Sequence, residues 1–438
     1  MAKQKKHHTV LVIDASGRGS ALVHKYSQSP HIKQIIAIPG NDLMQINSQK
    51  PVKIFPSLKT TSVPDIIDIC KKYKVDLVDV AQDDAVAAGL VDELVKHKFN
   101  VIGPTRLAGQ IEWDKAWARD FMKKYKIPIP LYKICKSQKV GIDFIKKQKD
   151  RSWFVKAAGL ALGKGAIPAK NRQEAVSAIR QMGNFGKAGE TFVIEQWLEG
   201  EEFSMFAICD GKTFQIIGAA QDHKRLYDGD VGPNTGGVGC STPPFIVNKN
   251  VYEQGKLIIK KTVEGLANEK RIYKGVLYLG AIVVGKKVFV IEFNARWGSP
   301  EAEVIVPGIQ NDLFEIGINV AKSQLNKVKI KTDGRARVAI TGSLRPGATN
   351  KKREMYGIKE VIRLPGITLY GTRITQSNNR YFVSSGRLFH VVGEGKNIIE
   401  ARRKAYGAIS MMSIEENTLH FRTDIGWRDV ERFYDTQN

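Results

Sequence analysis

The sequence has little cysteine, no long apolar run and a shortage of acid. Its four cysteines, Cys70, Cys135, Cys209 and Cys240, are scattered over 438 residues. They have neither the density of a disulfide framework nor the spacing of a zinc site, and a reducing, cytoplasmic setting is the expectation. No stretch approaches the roughly 18 to 20 apolar residues of a membrane helix, so no membrane partner is expected. The opening MAKQKKHHTVLVIDASG starts basic, but its apolar run is only about four residues, ends at an acid and lacks a small-residue cleavage site. VLVID reads instead as a first buried strand.

Against 44 Asp+Glu stand 68 Lys+Arg, a formal charge of +24. Such an excess attracts nucleic acid or steers polyanionic metabolites. The basic clusters (KQKK near the start, KKYK at 71 and 123, KKR at 351) come without an RNA-binding aromatic signature or finger spacing, and no nucleic-acid partner is expected. Hydrophobic content of 42% is that of a globular protein, and 438 residues suit two to four domains.

Residues 1–105 alternate short apolar runs (TVLVIDAS, KQIIAIPG, VDLVDVAQ, FNVIGPT) with helical stretches, including one through AVAAGLVDELVKH. This is the pattern of a parallel, Rossmann-like sheet with crossover helices. From 106 to 330 the chain begins with one helix, LAGQIEWDKAWARDFMKKY, and a Pro-rich joint. Paired strands with Gly-containing turns follow, an antiparallel sheet flanked by helices. Within this span, about 127–197 forms a smaller subdomain. Residues 331–438 read as a small β-rich unit closed by a helix around IIEARRKAYGAIS. The fold class is therefore mixed, α/β followed by α+β.

Four stretches carry chemistry. VKAAGLALGKGAI sets Lys156 before Gly159, Gly163, Lys164 and Gly165. Glycines let backbone N–H groups converge on phosphate oxygens, and lysines neutralise them. The spacing is neither a P-loop nor a dinucleotide fingerprint, so a plain hairpin stays open beside a phosphate flap. VIEQWLEGEEFS ends an apolar strand at Glu195 and leads through Gln196, Trp197 and Leu198 to Glu201 and Glu202. Its backbone can meet a base edge and its carboxylates ribose hydroxyls, or it is a solvated acidic turn. QDHKRLYDGDVGPNTGGVGCSTPP joins Asp222, Lys224 and Arg225 to a glycine-rich polar loop containing Asn234, suited to anionic ligands. In VIEFNARWGSPE, Glu292 and Asn294 share a strand face with Arg296 possible on the same side; oxygen donors of this kind suit a hard divalent cation, and the arginine fork suits a carboxylate or phosphate. Alone, such a strand is an ordinary surface face.

In order along the chain, PGN (39–41), GPT (103–105), GLALGKG, EGEE, QDHKR, GPNTGG, EFNAR, SSGR (384–387) and DIGWR (424–428) resemble the ATP-grasp ligases. More closely they are similar to the glycinamide ribonucleotide synthetases, over nearly the whole length. The resemblance implies a pre-ATP-grasp first domain, an ATP-grasp domain with its flap, and a C-terminal domain. It implies ligation of glycine to phosphoribosylamine through a glycyl phosphate, with ATP and Mg²⁺ or Mn²⁺, by a monomer or homodimer. Lys115 and Lys156 would then contact phosphates, and Gly163, Lys164 and Gly165 would close over them. Glu195 to Leu198 would border the adenine, and Glu202 the ribose. Glu292 and Asn294 would hold metal, while Arg296, Asp222, Lys224 and the Asn234 loop would orient the substrate.

Several positions depart from that family's pattern: SGRGSA replaces GGREHA, Ala81-Gln82-Asp83 replaces GPE, Ala158 replaces an Asp in the flap, Ser299 replaces the Asp of GDPE, and TGSLRP (341–346) replaces AAGGYP. Many of these changes fall in segments that, by the resemblance, would frame the amine substrate. A ligase of another carboxylate or amine, and a nucleotide-binding regulator without turnover, are therefore the alternatives.

Overall fold

The computed structural model describes residues 7–161 and 165–436. At its start, His8–Asp14 is the middle strand of a five-stranded parallel sheet, flanked by Ile32–Pro39 and Val52–Ile54 on one side and Leu77–Val80 and Asn100–Ile102 on the other. Helices cover both faces, which is why VLVI is a continuous apolar run with every residue buried. The helix expected through 85–97 is broken: Asp83–Ala87 and Leu90–Lys96 flank Gly89, whose φ of +83° suits glycine and opposes continuation.

The helix expected over 107–125 is also two. Gln110–Trp113 stops at Asp114, which leaves helical angles and accepts the Trp117 amide at 3.0 Å as N-cap of Lys115–Lys124. The break sets Lys115 at the first position of the second helix. Beyond it, Tyr132–Cys135, Phe192–Gln196, Trp153–Ala157 and Ala166–Ala169 form a four-stranded antiparallel sheet, with Gln138–Lys147 and Arg172–Gln181 packed on it. Gly163 and Lys164 lie outside the described residues.

A second, longer sheet runs in the order Lys287–Asn294, Lys274–Val284, Glu201–Asp210, Phe214–Asp222, Gly239–Thr242, Ala336–Leu344, Arg387–Gly395, Ile367–Gly371. Strands from the middle and last parts of the chain thus share one sheet, joined where Cys240 pairs with Ala339. The helix Lys249–Asn268 buries Val251, Ile258, Ile259 and Leu266 against Leu277, Leu279, Val290 and Phe293. The closing helix is Ile398–Ile409, and a further helix, Trp427–Asp435, follows DIGWR. Helix Leu313–Ala321 returns to the first sheet, where Gly317 admits the close approach of Leu77 and Ile102. Among the described residues no helix is long and apolar enough to cross a membrane.

Candidate active site

The strand Lys287–Asn294 carries the site, and a bulge aims it. Val290 pairs with Ala281 and Glu292 with Gly280, so Ile291 is left over. The extra residue shifts the alternation by one, keeping Phe293 on the core face occupied by Val288 and Val290 and turning Glu292 and Asn294 to the other. Gly280 supplies the room, since a Cβ there would lie 3.3 Å from Glu292 Cγ. The bulge is pinned from below: Arg119 donates to the Val290 carbonyl at 3.4 Å and to the Ile291 carbonyl.

Arg119 also grips Glu195, at 2.6 and 2.8 Å, and Lys156 Nζ donates to the same carboxylate at 2.7 Å. Burial alone would raise Glu195, but the two cations outweigh it and hold the carboxylate down at about 2. Its side chain is therefore committed within the protein. The Gln196 and Trp197 amides are likewise spent, on the Leu131 and Ser152 carbonyls, and Leu198 lies beyond the strand end. Trp197 packs on Phe154 with ring centroids 4.7 Å apart.

Lys115 meets the flap sheet through its amide, which donates to the Ala158 carbonyl at 2.9 Å, while its Nζ is 3.5 Å from the Gly159 carbonyl. Burial lowers its pKa, opposed by Glu292. Glu202 pairs with Lys224 at 2.9 Å, and this carboxylate is the main reason the Lys224 pKa is raised. Glu292 collects the fields of all these groups: burial would raise it, but Lys224, Lys156, Lys115 and Arg296 together hold it below the usual carboxylate value. Four cations drawn from four distant parts of the sequence thus act on one carboxylate.

Arg296 lies past the strand end, yet donates to Asn294 Oδ1 at 3.1 Å, and its Nη2 is 2.8 Å from Glu112 Oε1. Asp222 ends its strand with Oδ1 buried and unpaired among the described residues, and burial, with Glu301 nearby, pushes its carboxyl well above the ordinary range. Gly237, at φ +104°, lies against it: a Cβ there would sit 2.6 Å from both Asp222 Oδ1 and Pro300 Cδ. Asn234 is exposed at the end of a hairpin, Arg225–Tyr227 with Val231–Asn234, and the next amide, Thr235, donates to the Lys224 carbonyl at 2.7 Å. What the sequence presented as a loop is this hairpin. Glu292 and Asn294 offer an ionised carboxylate and an amide oxygen, a donor set that fits a hard divalent cation.

Models of phosphoribosylglycinamide synthetase match the chain in three consecutive pieces: the N domain over residues 8–112, the ATP-grasp (A) domain over 113–302 and the C domain over 338–428. The chain belongs to the phosphoribosylglycinamide synthetase family. The phosphoribosylamine–glycine ligase of Caulobacter vibrioides is 33% identical over 430 residues, 97% of this chain and 99% of that one. The Streptococcus pneumoniae serotype 4 ligase is 34% identical over 429 residues, covering 96% and 100%. The crystal structure of the Thermotoga maritima phosphoribosylamine–glycine ligase superposes with a TM-score of 0.79 at 25% identity, over 95% of this chain and 99% of that chain. A biotin carboxylase domain from Hydrogenobacter thermophilus, solved with MgADP, shares the fold at 14% identity with a TM-score of 0.70 over 95% and 92%.

Within this synthetase fold, three residues that organise the site escaped the sequence reading. Glu112 steers Arg296, Arg119 holds both Glu195 and the bulge, and Arg422 anchors the hairpin through Asp230 at 2.8 Å. Each acts through a partner far away in the chain. Only for Glu112 was there a local hint, an acid three residues before Lys115.

Proposed function

We propose that the protein ligates glycine to 5-phosphoribosylamine, converting ATP to ADP and phosphate and releasing glycinamide ribonucleotide for de novo purine biosynthesis. Full-length kinship with phosphoribosylamine–glycine ligases supports the substrates. The observation that carries the chemistry is that Lys115, Lys156, Lys224 and Arg296 all act on the Glu292 carboxylate and hold it below the usual value. Cations so gathered neutralise a triphosphate while keeping one carboxylate ionised.

A glycine carboxylate oxygen attacks the terminal phosphorus, and ADP leaves. The amine nitrogen then attacks the acyl carbon, phosphate departs with the C–O electron pair, and the nitrogen loses a proton. Neither step needs a protein nucleophile; positioning and neutralisation of charge supply the rate. Lys115 and Lys156 bind the phosphates, with Lys156 shared between them and Glu195. Leu198 and Trp197 border the base, Glu202 meets the ribose, and Gly165 belongs to the flap over the nucleotide. Arg296, oriented by Glu112, grips the glycine carboxylate, and Asp222, Lys224 and the Asn234 hairpin close the far side. Glu292 and Asn294 would hold Mg²⁺ or Mn²⁺, which screens phosphate charge when bound.

The test is product formation. Purified protein with ATP, glycine and freshly generated phosphoribosylamine should release ADP only when both cosubstrates are present and yield the ribonucleotide amide. Turnover with another amine but not this one would replace the assignment by a related ligase. Nucleotide binding without turnover would leave a regulator.

A further inference from the structure

Behind the turn that follows Arg296 lies a chain of buried polar groups that neither ligation step uses. Ser299 Oγ donates to Glu303 Oε1 at 2.6 Å, that oxygen lies 3.3 Å from His390 Nε2, and His390 Nδ1 is 2.9 Å from Thr341 Oγ1. Glu303 and His390 are fully buried, and Ser299 is 7% exposed. Burial raises the Glu303 carboxyl to about 8 and drives His390 well below its ordinary value. The pair is thus uncharged at neutral pH, and one consistent run of donors, Ser299 to Glu303 to His390 to Thr341, links it through Glu303 Oε1, while Glu303 Oε2 is buried without a partner among the described residues. A buried polar network of this kind is costly unless every member is placed.

Its place in the fold gives it a task. Thr341 and His390 come from the strands Ala336–Leu344 and Arg387–Gly395, and Glu303 from the short helix Glu301–Ile305. Gly17 of the first unit covers them: a Cβ there would sit 2.2 Å from Glu303 Oε1 and 2.4 Å from His390 Cδ2. From the next residue, Arg18 Nη1 donates to the Trp297 carbonyl at 2.7 Å. Arg387 Nη1 donates to the Ser299 and Gly236 carbonyls, both at 2.6 Å. The turn 297–299 is therefore held by Arg18 from the first unit, by Arg387 from the last, and from beneath by Glu303. Arg18 and Arg387 are the cations that act on Glu303, whereas Lys115, Lys156 and Lys224 act on Glu292.

We propose that Glu303 and His390 are positioning residues for the amine substrate, fixing through Ser299 the turn on which Arg18 and Arg387 converge. An anionic, hydroxyl-bearing amine suits two arginine forks with N–H groups to spare. The inference rests on the ligase reading above.

Initial rates with phosphoribosylamine varied, and separately with ATP varied, test it in Glu303→Leu, His390→Leu, Glu303→Gln and Ser299→Ala. The two leucine variants and Ser299→Ala should raise KM for the amine roughly tenfold and leave KM for ATP within about twofold. Glu303→Gln, which keeps a donor and an acceptor at the same reach, should restore the wild-type value. Ser299→Ala removes only a hydroxyl at the rim and decides the matter if the leucine variants do not fold. Unchanged amine KM, or KM for both substrates rising together, overturns the proposal while the ligase reading stands. A wild type that makes no amide from this pair removes both.

Discussion

Arg296 Nη2 lies 2.8 Å from Glu112 Oε1, and the other oxygen of that carboxylate accepts the Ala295 amide at 2.7 Å. One buried glutamate thus fixes both the backbone entering the turn and the guanidinium leaving it. Burial pushes Glu112 up to about 7 against the pull of Arg296. Glu112→Gln keeps the shape, removes the charge and leaves one acceptor where the carboxylate had two, so Arg296 and the Ala295 amide cannot both keep their partner. Breaking a buried pair from one side costs about 3 kcal/mol, which urea unfolding should register. The KM for glycine should rise more than that for ATP; equal rises would mean that Arg296 does not hold the carboxylate.

Glu195 gives a pH prediction with a definite sign. Its carboxyl is lowered from 4.5 to about 2 by Arg119 and Lys156 against burial. A depressed folded-state value adds stability that is fully present above the unfolded value of 4.5 and is lost as pH falls through about 2. The contribution at pH 7 is on the order of 3 kcal/mol. In urea titrations, the stability gap between wild type and Glu195→Gln should be widest near neutrality and shrink as the pH drops below about 4.5. A gap that does not change with pH would show that Glu195 is not ionised in the folded protein.

Much of the architecture was legible because it obeys local periodicity. VLVID and its successors are apolar throughout since a parallel sheet is covered on both faces, and IEFNAR alternates because one face of Lys287–Asn294 meets the core. Two expected helices failed at single residues, Gly89 and Asp114, each a recognised punctuation mark outvoted by the apolar pattern on either side. The site was legible in its strand-borne parts and not in its supports. Nothing near Arg119 announces Glu195, and nothing near Glu112 announces Arg296. The bulge at Ile291 has no sequence mark either; it follows from register with Lys274–Val284. Long-range charge pairing is decided by topology, which composition and spacing do not encode.

The hairpin bearing Asn234 is tied down by a buried arginine, with Arg428 sharing Asp230 at 2.6 Å. Arg422 binds Asp230 at 2.8 Å, Asp424 at 2.7 Å and the Arg225 carbonyl at 3.0 Å, and Asp228 accepts the Thr423 amide at 2.8 Å. Val231 to Asn234 are all exposed, so little apolar packing holds the hairpin in its stead. Arg422→Met should cost about 3 kcal/mol and admit proteolytic cleavage between residues 228 and 234, which native-state digestion and mass spectrometry would locate. Turnover should fall with it. Resistance to cleavage equal to that of the wild type would show that the hairpin is held by other means.

Glu292 separates binding of nucleotide from its use. Among the described residues its charge is offset against Lys115, Lys156, Lys224 and Arg296 together. Glu292→Gln removes that offset and leaves the four cations in place, so the field on a bare triphosphate becomes more attractive. Metal-free ATP should therefore bind at least as tightly as to the wild type, by equilibrium titration in chelator. Turnover should nevertheless fall by roughly 100-fold or more, since an oxygen donor for the divalent cation is lost. Added Mg²⁺ should tighten ATP binding to the wild type more than to the variant. Were the variant to turn over at near wild-type rate, Glu292 would be a mere counter-charge and the cation would have to be held elsewhere.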